Sequence, residues 1–487
     1  RLSKPPLAAA TARNRIAGRH HAGLTHNGHM SEAFFPPIQA TVFKGIQPMT
    51  PRFGMPLQRA ALALTAVVLA TPISAADLEI HGSNTVGASL APLLVGGYLE
   101  TRGEGPVTVT ETGHANERLV QARVDGKPVE VLVAAHGSST GFKALAEGRA
   151  DIWASSRPVK DSEVEQFGHR ANLKSLDSEH VIAIDGLAIL VHPGNPVTQL
   201  SIDTLARIFA GEIRNWSELG GPDRPIHLYA RDERSGTWDT FKSLVLGSSY
   251  TLAASARRYE SNDRLSDDVS RDPSGIGFTG LASVRQSKLL AISEGKAPAL
   301  KPNQLTVASE DYPLSRRLFM YTPGARTTPM AAQLVAYALG PDGQERVAQS
   351  GFISQNPIAV KPEFDDSVPE TFQRLTRNYQ RLTVNFRFAQ GRTQLDNKAL
   401  RDLERVRQYL EREGRVAADL LLIGFADTQS NELRAQMISE LRALSVRRAL
   451  ADLGVRDVAY TGYGHYMPVG GRGSARNGRV EVWIRAR

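Results

Sequence analysis

The run Arg231-Asp232-Glu233-Arg234-Ser235-Gly236-Thr237 stands directly before Trp238 to Leu246, a stretch whose apolar spacing predicts a helix. Ser-Gly-Thr at a helix start offers backbone N–H groups, two hydroxyls and the positive end of the helix dipole at one point. Arg231, upstream of Ser235, can close a planar fork on the same guest. Such a corner suits a small oxyanion. Taken alone, it suits an ordinary Ser/Thr cap after a turn equally well. Two other stretches repeat the chemistry and shift the balance toward a binding site.

The first is His81-Gly82-Ser83-Asn84-Thr85-Val86-Gly87, which follows a short strand at Asp77 to Ile80 and opens an apolar helix reaching Leu99. The second is His136-Gly137-Ser138-Ser139-Thr140-Gly141, between a strand at Val129 to Ala135 and a helix at Phe142 to Gly148. Each reads as strand, small polar turn and helix start, an anion-ready order. Val107 to Thr112 reads as a further strand, and Asp151 to Pro158 as a strand ending in Ser155, Ser156 and Arg157. His180 to His192 is a long apolar strand, and Ser201 starts a helix through Ala210. Ser274 to Gly280 reads as a tight, glycine-rich crossing, and Tyr312 to Tyr321 leads back into strand. Alternating strands and helices predict an α/β layout, with ligands at the carboxyl ends of parallel strands.

Pro357 to Pro369 carries acids and prolines without a period and is predicted to be a linker. Beyond it the alternation resumes. Strands are predicted at Leu382 to Phe388, Leu420 to Phe425, Val458 to Tyr463 and Val480 to Ile484, and helices at Asn397 to Arg412 and Leu433 to Leu453.

The chain has 487 residues, enough for two to four domains, and a net charge of +8 that misleads until it is divided. Residues 1–76 carry +7, residues 77–370 carry −8 and residues 371–487 carry +9. An acidic body with an Arg-rich tail gives no reason to invoke nucleic acid. With no cysteine, disulfides, thiolate metal sites and cysteine nucleophiles are excluded. The histidines His81, His114, His136, His180, His192 and His227 show no ligand-like pairing, so neither metal nor cofactor is expected. Residues 1–48 have no hydrophobic period and are expected to be an unstructured or mis-assigned leader. Residues 49–76 place Arg52 and Arg59 before the apolar run Ala60 to Ala70 and the small residues Ser74-Ala75-Ala76, the order of a secretory signal.

The three corners, together with Ile208-Phe209-Ala210-Gly211-Glu212-Ile213-Arg214-Asn215-Trp216 and Tyr312-Pro313-Leu314-Ser315, resemble the phosphate-binding proteins that feed ABC transporters. The resemblance spans residues 77–360 and implies two α/β lobes of periplasmic-binding-protein fold closing on phosphate. The residues it implies are Ser83, Asn84 and Thr85, then Ser138, Ser139 and Ser156, and from the opposite lobe Arg231, Ser235, Gly236 and Thr237. Some relatives carry a carboxylate where Ser156 stands. A carboxylate accepts the proton that phosphate keeps and sulfate lacks, so Ser156 is expected to reject sulfate less decisively.

Residues 371–487, after a linker at 361–370, resemble the OmpA-like peptidoglycan-binding domain, a smaller α+β unit. The carrying text is Gly424-Phe425-Ala426-Asp427, Ser439-Glu440-Leu441-Arg442-Ala443, Gly462-Tyr463-Gly464 and Asn477-Gly478-Arg479-Val480-Glu481. In that family the acid and the arginine grip diaminopimelate of the stem peptide, which implies Asp427 for the ammonium and Arg442 for the carboxylate, with Asn477 nearby. Phe425, where a histidine is usual, and Ser474 and Gly478, where arginines are common, depart from the family.

Together these readings imply a periplasmic binder, held on peptidoglycan at the outer-membrane side of the envelope. It would capture phosphate or a similar tetrahedral oxyanion, with an ABC permease as a possible partner and no covalent chemistry. Two other readings stand beside it. Gly137-Ser138-Ser139-Thr140-Gly141 also fits the G-x-S-x-G elbow of a serine hydrolase, with Asp203 and His227 available for a triad. A structural envelope protein that has lost its ligand is the third.

Overall fold

The structure is a computed structural model, and it describes residues 76–103, 105–364, 368–388, 394–427 and 431–487. The expected leader, and all of the expected secretory signal except Ala76, lie outside the described residues.

The front of the chain contributes strands β1 (Leu78–Gly82), β2 (Thr108–Glu111), β3 (Glu117–Val124), β4 (Lys127–Ala134), β5 (Ile152–Ser155), β6 (Glu179–Val191), β7 (His227–Arg231), β8 (Arg257–Tyr259), β9 (Gly275–Gly280) and β10 (Ser315–Tyr321). Helices α1 (Asn84–Gly87), α2 (Leu90–Glu100), α3 (Ser138–Glu147), α4 (Gly236–Phe241) and α5 (Asn262–Arg271) lie between them. The strands run in the order β2-β3-β4-β1-β5-β10-β6-β9-β7-β8, with Lys288–Leu289 added against β6.

β6 joins the two halves of this array. Beyond Glu179 it is buried throughout, as an almost unbroken apolar strand covered on both faces should be. Glu179 to Gly186 pair with β10, and Leu187 to Val191 pair with β9. The chain therefore crosses between a first lobe (β2, β3, β4, β1, β5) and a second (β9, β7, β8) twice, once within β6 and once entering β10. Leu78, Ile80, Leu94, Val131 and Leu334 belong to a core in the first lobe. Trp153, Ile189, Phe209, Phe241 and Phe278 belong to a second core, which runs across both lobes.

Several local expectations give way to packing. The helix expected over Trp238 to Leu246 is regular only to Phe241 and then widens into a π turn over Lys242–Leu246. Ser274 to Gly280 is not a crossing but the interior strand β9. A Cβ on Gly277 would meet Leu265 and Val269 of α5 at 2.8 and 2.9 Å, so its glycine serves close helix-on-sheet packing. The true crossings are β6 and β10.

The tail is a five-stranded sheet in the order β11 (Ala359–Val360), β12 (Tyr379–Arg387), β15 (Arg479–Arg485), β13 (Leu420–Gly424) and β14 (Ala459–Gly462). Helices α6 (Asn397–Arg412) and α7 (Glu432–Asp452) flank it. Ala359–Val360 lies in the stretch expected to be linker, yet it pairs with β12, so part of that stretch is a strand of the tail's own sheet.

The described residues form one compact unit, and the tail is gripped by both lobes. Asp311, in the segment entering β10, is buried and receives Arg381 at 2.6 Å and Asn385 and Arg387 at 3.0 Å, all from β12. The Ser309 carbonyl accepts from Asn385 (3.0 Å) and Arg387 (2.9 Å). Glu294 meets Ser474 (3.2 Å) and Arg476. On the first lobe, Arg401 of α6 donates to the carbonyls of Leu176 (2.8 Å) and Glu179 (3.0 Å), and Arg405 to Gln355 (3.1 Å). Arg317 of β10 pairs with Glu310 (2.6 Å) and with Asp396, the N-cap of α6 (2.8 Å). Burial pushes the Glu310 carboxyl up, but Arg317, Lys398 and Arg387 outweigh it and hold the group at about 2. Among the described residues no helix is long and apolar enough to cross a membrane.

Candidate functional site

The three sequence corners meet between the lobes. Gly82 ends β1 with φ +146°, where a Cβ would fall 1.9 Å from the Ala154 carbonyl, so only glycine lets β1 lie this close to β5. The next residues, Ser83 to Thr85, form the turn into α1. Gly137 (φ +115°) likewise precedes α3, and a Cβ there would stand 2.3 Å from the Arg234 carbonyl of the second lobe. Ser235 caps α4 by accepting from the N–H groups of Thr237 (3.1 Å) and Trp238 (3.4 Å).

Across the gap, Gly236 faces Ser138 and Ser156: a Cβ would lie 2.3 Å from Ser156 Oγ and 2.4 Å from Ser138 Oγ. Ser138 Oγ accepts from the Ser156 N–H at 3.2 Å, and Thr240 donates to the Ser156 carbonyl at 3.2 Å. Thr85 Oγ1 and Thr237 Oγ1, one from each lobe, lie 3.0 Å apart. At the rim, Asn84 lines a cavity of about 330 Å³ with Glu111, Gly113, Asn116 and Arg118. There Asn116 donates to Glu260 of the other lobe at 2.7 Å. The lobes are closed on one another.

Thr85, Ser138, Ser156, Gly236 and Thr237 thus converge, and Ser83 is buried beside them. Among the described residues, Ser83 Oγ and Ser156 Oγ are buried without a hydrogen-bond partner. Orphaned hydroxyls of this kind are destabilising unless something meets them, so these two, where the corners meet, suit a polar guest. Ser139 is placed differently, 3.3 Å from Arg157 Nη2. Arg157 also grips Glu163 of its own lobe (2.6 Å) and, across the gap, Asp239 (2.8 Å). Burial works against its charge, but the two carboxylates outweigh burial and raise its pKa. For the hydrolase reading, Ser139 faces a guanidinium, and His227 pairs with Asp272 at 2.7 Å rather than with Asp203.

Arg231 is 1% exposed. Its guanidinium donates to the carbonyls of Tyr259 (3.0 Å) and Glu260 and to Asn262 Oδ1. Three of its five N–H groups are held this way, and Nη2 also lies 3.7 Å from Asp232. Burial, and after it the neighbouring Arg316, push its pKa down to about 10, a value that keeps it cationic at neutral pH. Arg316 and its partner Asp185 were not singled out from sequence. The signal was present: Asp185 is a lone acid in the apolar run of β6, where an unpaired charge is prohibitive.

In the tail, Arg442 of α7 approaches Asp427 at 3.9 Å and donates to the Phe425 carbonyl at 2.9 Å. A Cβ on Gly478 would come within 2.6 Å of Arg442 Nη1, so the glycine makes room for the guanidinium. Burial raises the Asp427 carboxyl and lowers Arg442, each partly countered by the other. Among the described residues, Asp427 Oδ1 is buried without a partner. Asn477 is committed elsewhere. Its Oδ1 accepts from the N–H groups of Val469 (2.9 Å) and Gly470 (3.0 Å), and its Nδ2 donates to the carbonyls of Gly470 (3.2 Å) and Gly471 (3.0 Å). That fills an amide's hydrogen-bonding capacity on the 469–471 loop. Phe425, which replaces the usual histidine, lies under Arg479, with its ring centroid 4.0 Å from Cζ.

The family model described as the PBP superfamily domain matches residues 107–342, and that of the OmpA family matches residues 387–477. The chain is similar to the phosphate-binding protein PstS of Pseudomonas aeruginosa, with 30% identity over 252 residues, covering 48% of this chain and 76% of that protein. It is similar to PstS of Bacillus subtilis, with 29% identity over 267 residues, covering 54% of this chain and 84% of that protein. An ABC-type phosphate transport receptor from Vibrio cholerae overlays with a TM-score of 0.44 at 26% identity, covering 57% of this chain and 99% of that one. The chain belongs to the PstS phosphate-binding family of the PBP superfamily and carries an OmpA-family domain behind it.

Proposed function

We propose that the chain is a periplasmic binding protein that encloses phosphate between its lobes and is held on peptidoglycan by its tail. The observation that carries this reading is the convergence of hydroxyls from both lobes, with Ser83 Oγ and Ser156 Oγ buried and unpartnered among them. Ser83, Asn84, Thr85, Ser138, Ser139 and Ser156 would supply hydroxyl, amide and backbone donors from one side, and Ser235, Gly236, Thr237 and the guanidinium of Arg231 from the other. Neutral dipoles and a buried guanidinium suffice for an anion, so an acidic domain can hold one.

Function is capture by differential affinity. A ligand that touches both lobes stabilises the closed arrangement and loses half its contacts when the lobes part. Delivery to an ABC permease fits the family, and attachment to the wall would confine the binder near the envelope. In the tail, Asp427 would meet the ammonium and Arg442 the carboxylate of diaminopimelate, while Asn477 shapes the adjoining loop.

Equilibrium dialysis of the full chain against radiolabelled phosphate tests the reading. One site per chain, weakened at least about thirtyfold by Arg231→Ala, is expected from loss of a charge-assisted fork. No bound phosphate in protein stripped of ligand would refute it.

A further inference from the structure

Arg316 and Asp185 face each other as register partners on β10 and β6, on the two strands that carry the chain between lobes. Asp185 is fully buried and both its oxygens are engaged. Oδ1 accepts from the Leu281 N–H at 2.9 Å, and Oδ2 accepts from Arg316 Nε at 2.9 Å and Nη2 at 2.6 Å. The guanidinium is fixed in its plane by this grip. A Cβ on Gly280 would fall 2.8 Å from Asp185 Oδ2 and 3.0 Å from Arg316 Nη2, so the pair occupies space that a glycine leaves open.

For stability alone a buried ion pair is a poor device, since apolar residues of similar volume do as well or better. What distinguishes this pair is its free edge. Arg316 Nη1 donates to Thr237 Oγ1 of the second lobe at 2.8 Å, and Nη2 lies 3.5 Å from Thr85 Oγ1 of the first. Those hydroxyls belong to the corners that meet in the gap.

We propose that Arg316, held by Asp185, is a positioning residue of the oxyanion site that fixes the Thr237 hydroxyl as a donor and ties ligand binding to lobe closure. This rests on the oxyanion reading above. A guanidinium has donors only, so a hydroxyl that accepts from it must direct its own proton elsewhere. Thr237 then donates to the ligand, or to Thr85, which passes the direction on. This end of the site is set for unprotonated, charged oxygens. Ser83 and Ser156, without partners, keep the freedom to accept as well as donate, and so can take the protonated oxygen of hydrogen phosphate. The two ends orient the ligand. Because Arg316 sits on a connecting strand while its two threonines come from opposite lobes, both contacts exist together only when the lobes are closed.

The test is a double-mutant cycle on the full chain, with inorganic phosphate as the probe and melting temperature recorded for each variant. Asp185→Asn with Arg316→Gln replaces the ion pair by a neutral pair of similar size. It is expected to melt close to the parent and to bind phosphate at least about tenfold more weakly, the loss of one charge-assisted hydrogen bond. Thr237→Val, costly in the parent, is expected to change affinity less than about twofold in that background, because the hydroxyl is no longer directed. Phosphate affinity within about twofold of the parent in the neutral pair, or a Thr237→Val effect that multiplies independently, overturns the proposal. Arg316→Lys keeps a cation on Asp185 without the planar fork whose free edge reaches Thr237. Should the neutral pair fail to fold, Arg316→Lys carries the test: the same weakening is expected, and parental affinity overturns the proposal. A parent that binds no phosphate refutes the preceding reading and this one with it. A parent that binds, with independent effects, refutes this one alone.

Discussion

Arg442 is the tail residue proposed to meet the stem-peptide carboxylate. Among the described residues its guanidinium is 3.9 Å from Asp427, bonded to the Phe425 carbonyl and set over the Phe388 ring, with Gly478 leaving space beneath it. Arg442→Ala is expected to abolish pelleting of the full chain with purified peptidoglycan while phosphate affinity stays within about twofold, since the tail and the cleft are separate sites. Retained pelleting would make Asp427 and Arg442 structural. The Asp427 carboxyl, raised chiefly by burial, takes up a proton on acidification before an ordinary aspartate does. An ammonium needs the carboxylate, so pelleting should fall with decreasing pH from above the usual aspartate range. At this scale the approach of Asp427 and Arg442 to one another was legible because family text surrounds both. Asn477 was named with them, but from sequence a ligand-facing amide cannot be told from one that closes a loop. Arg316 stood beside a recognised motif yet drew no notice, because its partner Asp185 is distant in sequence and adjacent only through β-sheet register.

Helix α4 is the element that brings the second lobe to the first. Its start is capped by Ser235, and Gly236 is the only residue small enough to lie against Ser138 and Ser156. Gly236→Ala adds a Cβ that would sit 2.3 Å from Ser156 Oγ, so the closed form is expected to lose about 1–3 kcal/mol as overpacking. The parted lobes do not feel it. Dialysis should show weaker phosphate binding with a ligand-free melting temperature near the parent's, and unchanged affinity would mean that the lobes close elsewhere. Elements with local signals were read well. The helix expected over Asn397 to Arg412 has those bounds, set by the Asp396 cap and a regular apolar period. Strands β6, β12, β13, β14 and β15 follow their apolar runs. The π turn after α4 and the role of β9 were not legible, because both follow from what packs against them: the cores around Phe241 and the close approach of α5.

Across the whole molecule, the division of charge read from sequence has a structural counterpart. Arginines of the basic tail, Arg381, Arg387, Arg401, Arg405 and Arg476, reach acids, carbonyls and an amide of the acidic front domain. The tail is docked on the front domain. It holds Asp311 and Glu294 of the second lobe and residues 174–180 and 355 of the first, close to the crossing into β10. Two domains and their order were legible from motif text, but the docking was not, since ion-pair partners this far apart leave no periodic trace. Enclosure of phosphate by the closed lobes is the proposal on which the other roles depend. Its most direct test is the melting temperature of the full chain, stripped of ligand, as phosphate and then sulfate are added. A ligand that prefers the closed form must raise stability with concentration. A phosphate-dependent rise that is lost in Arg231→Ala is expected, with a smaller rise for sulfate that reflects the tolerance of Ser156. No rise with phosphate would contradict the claim.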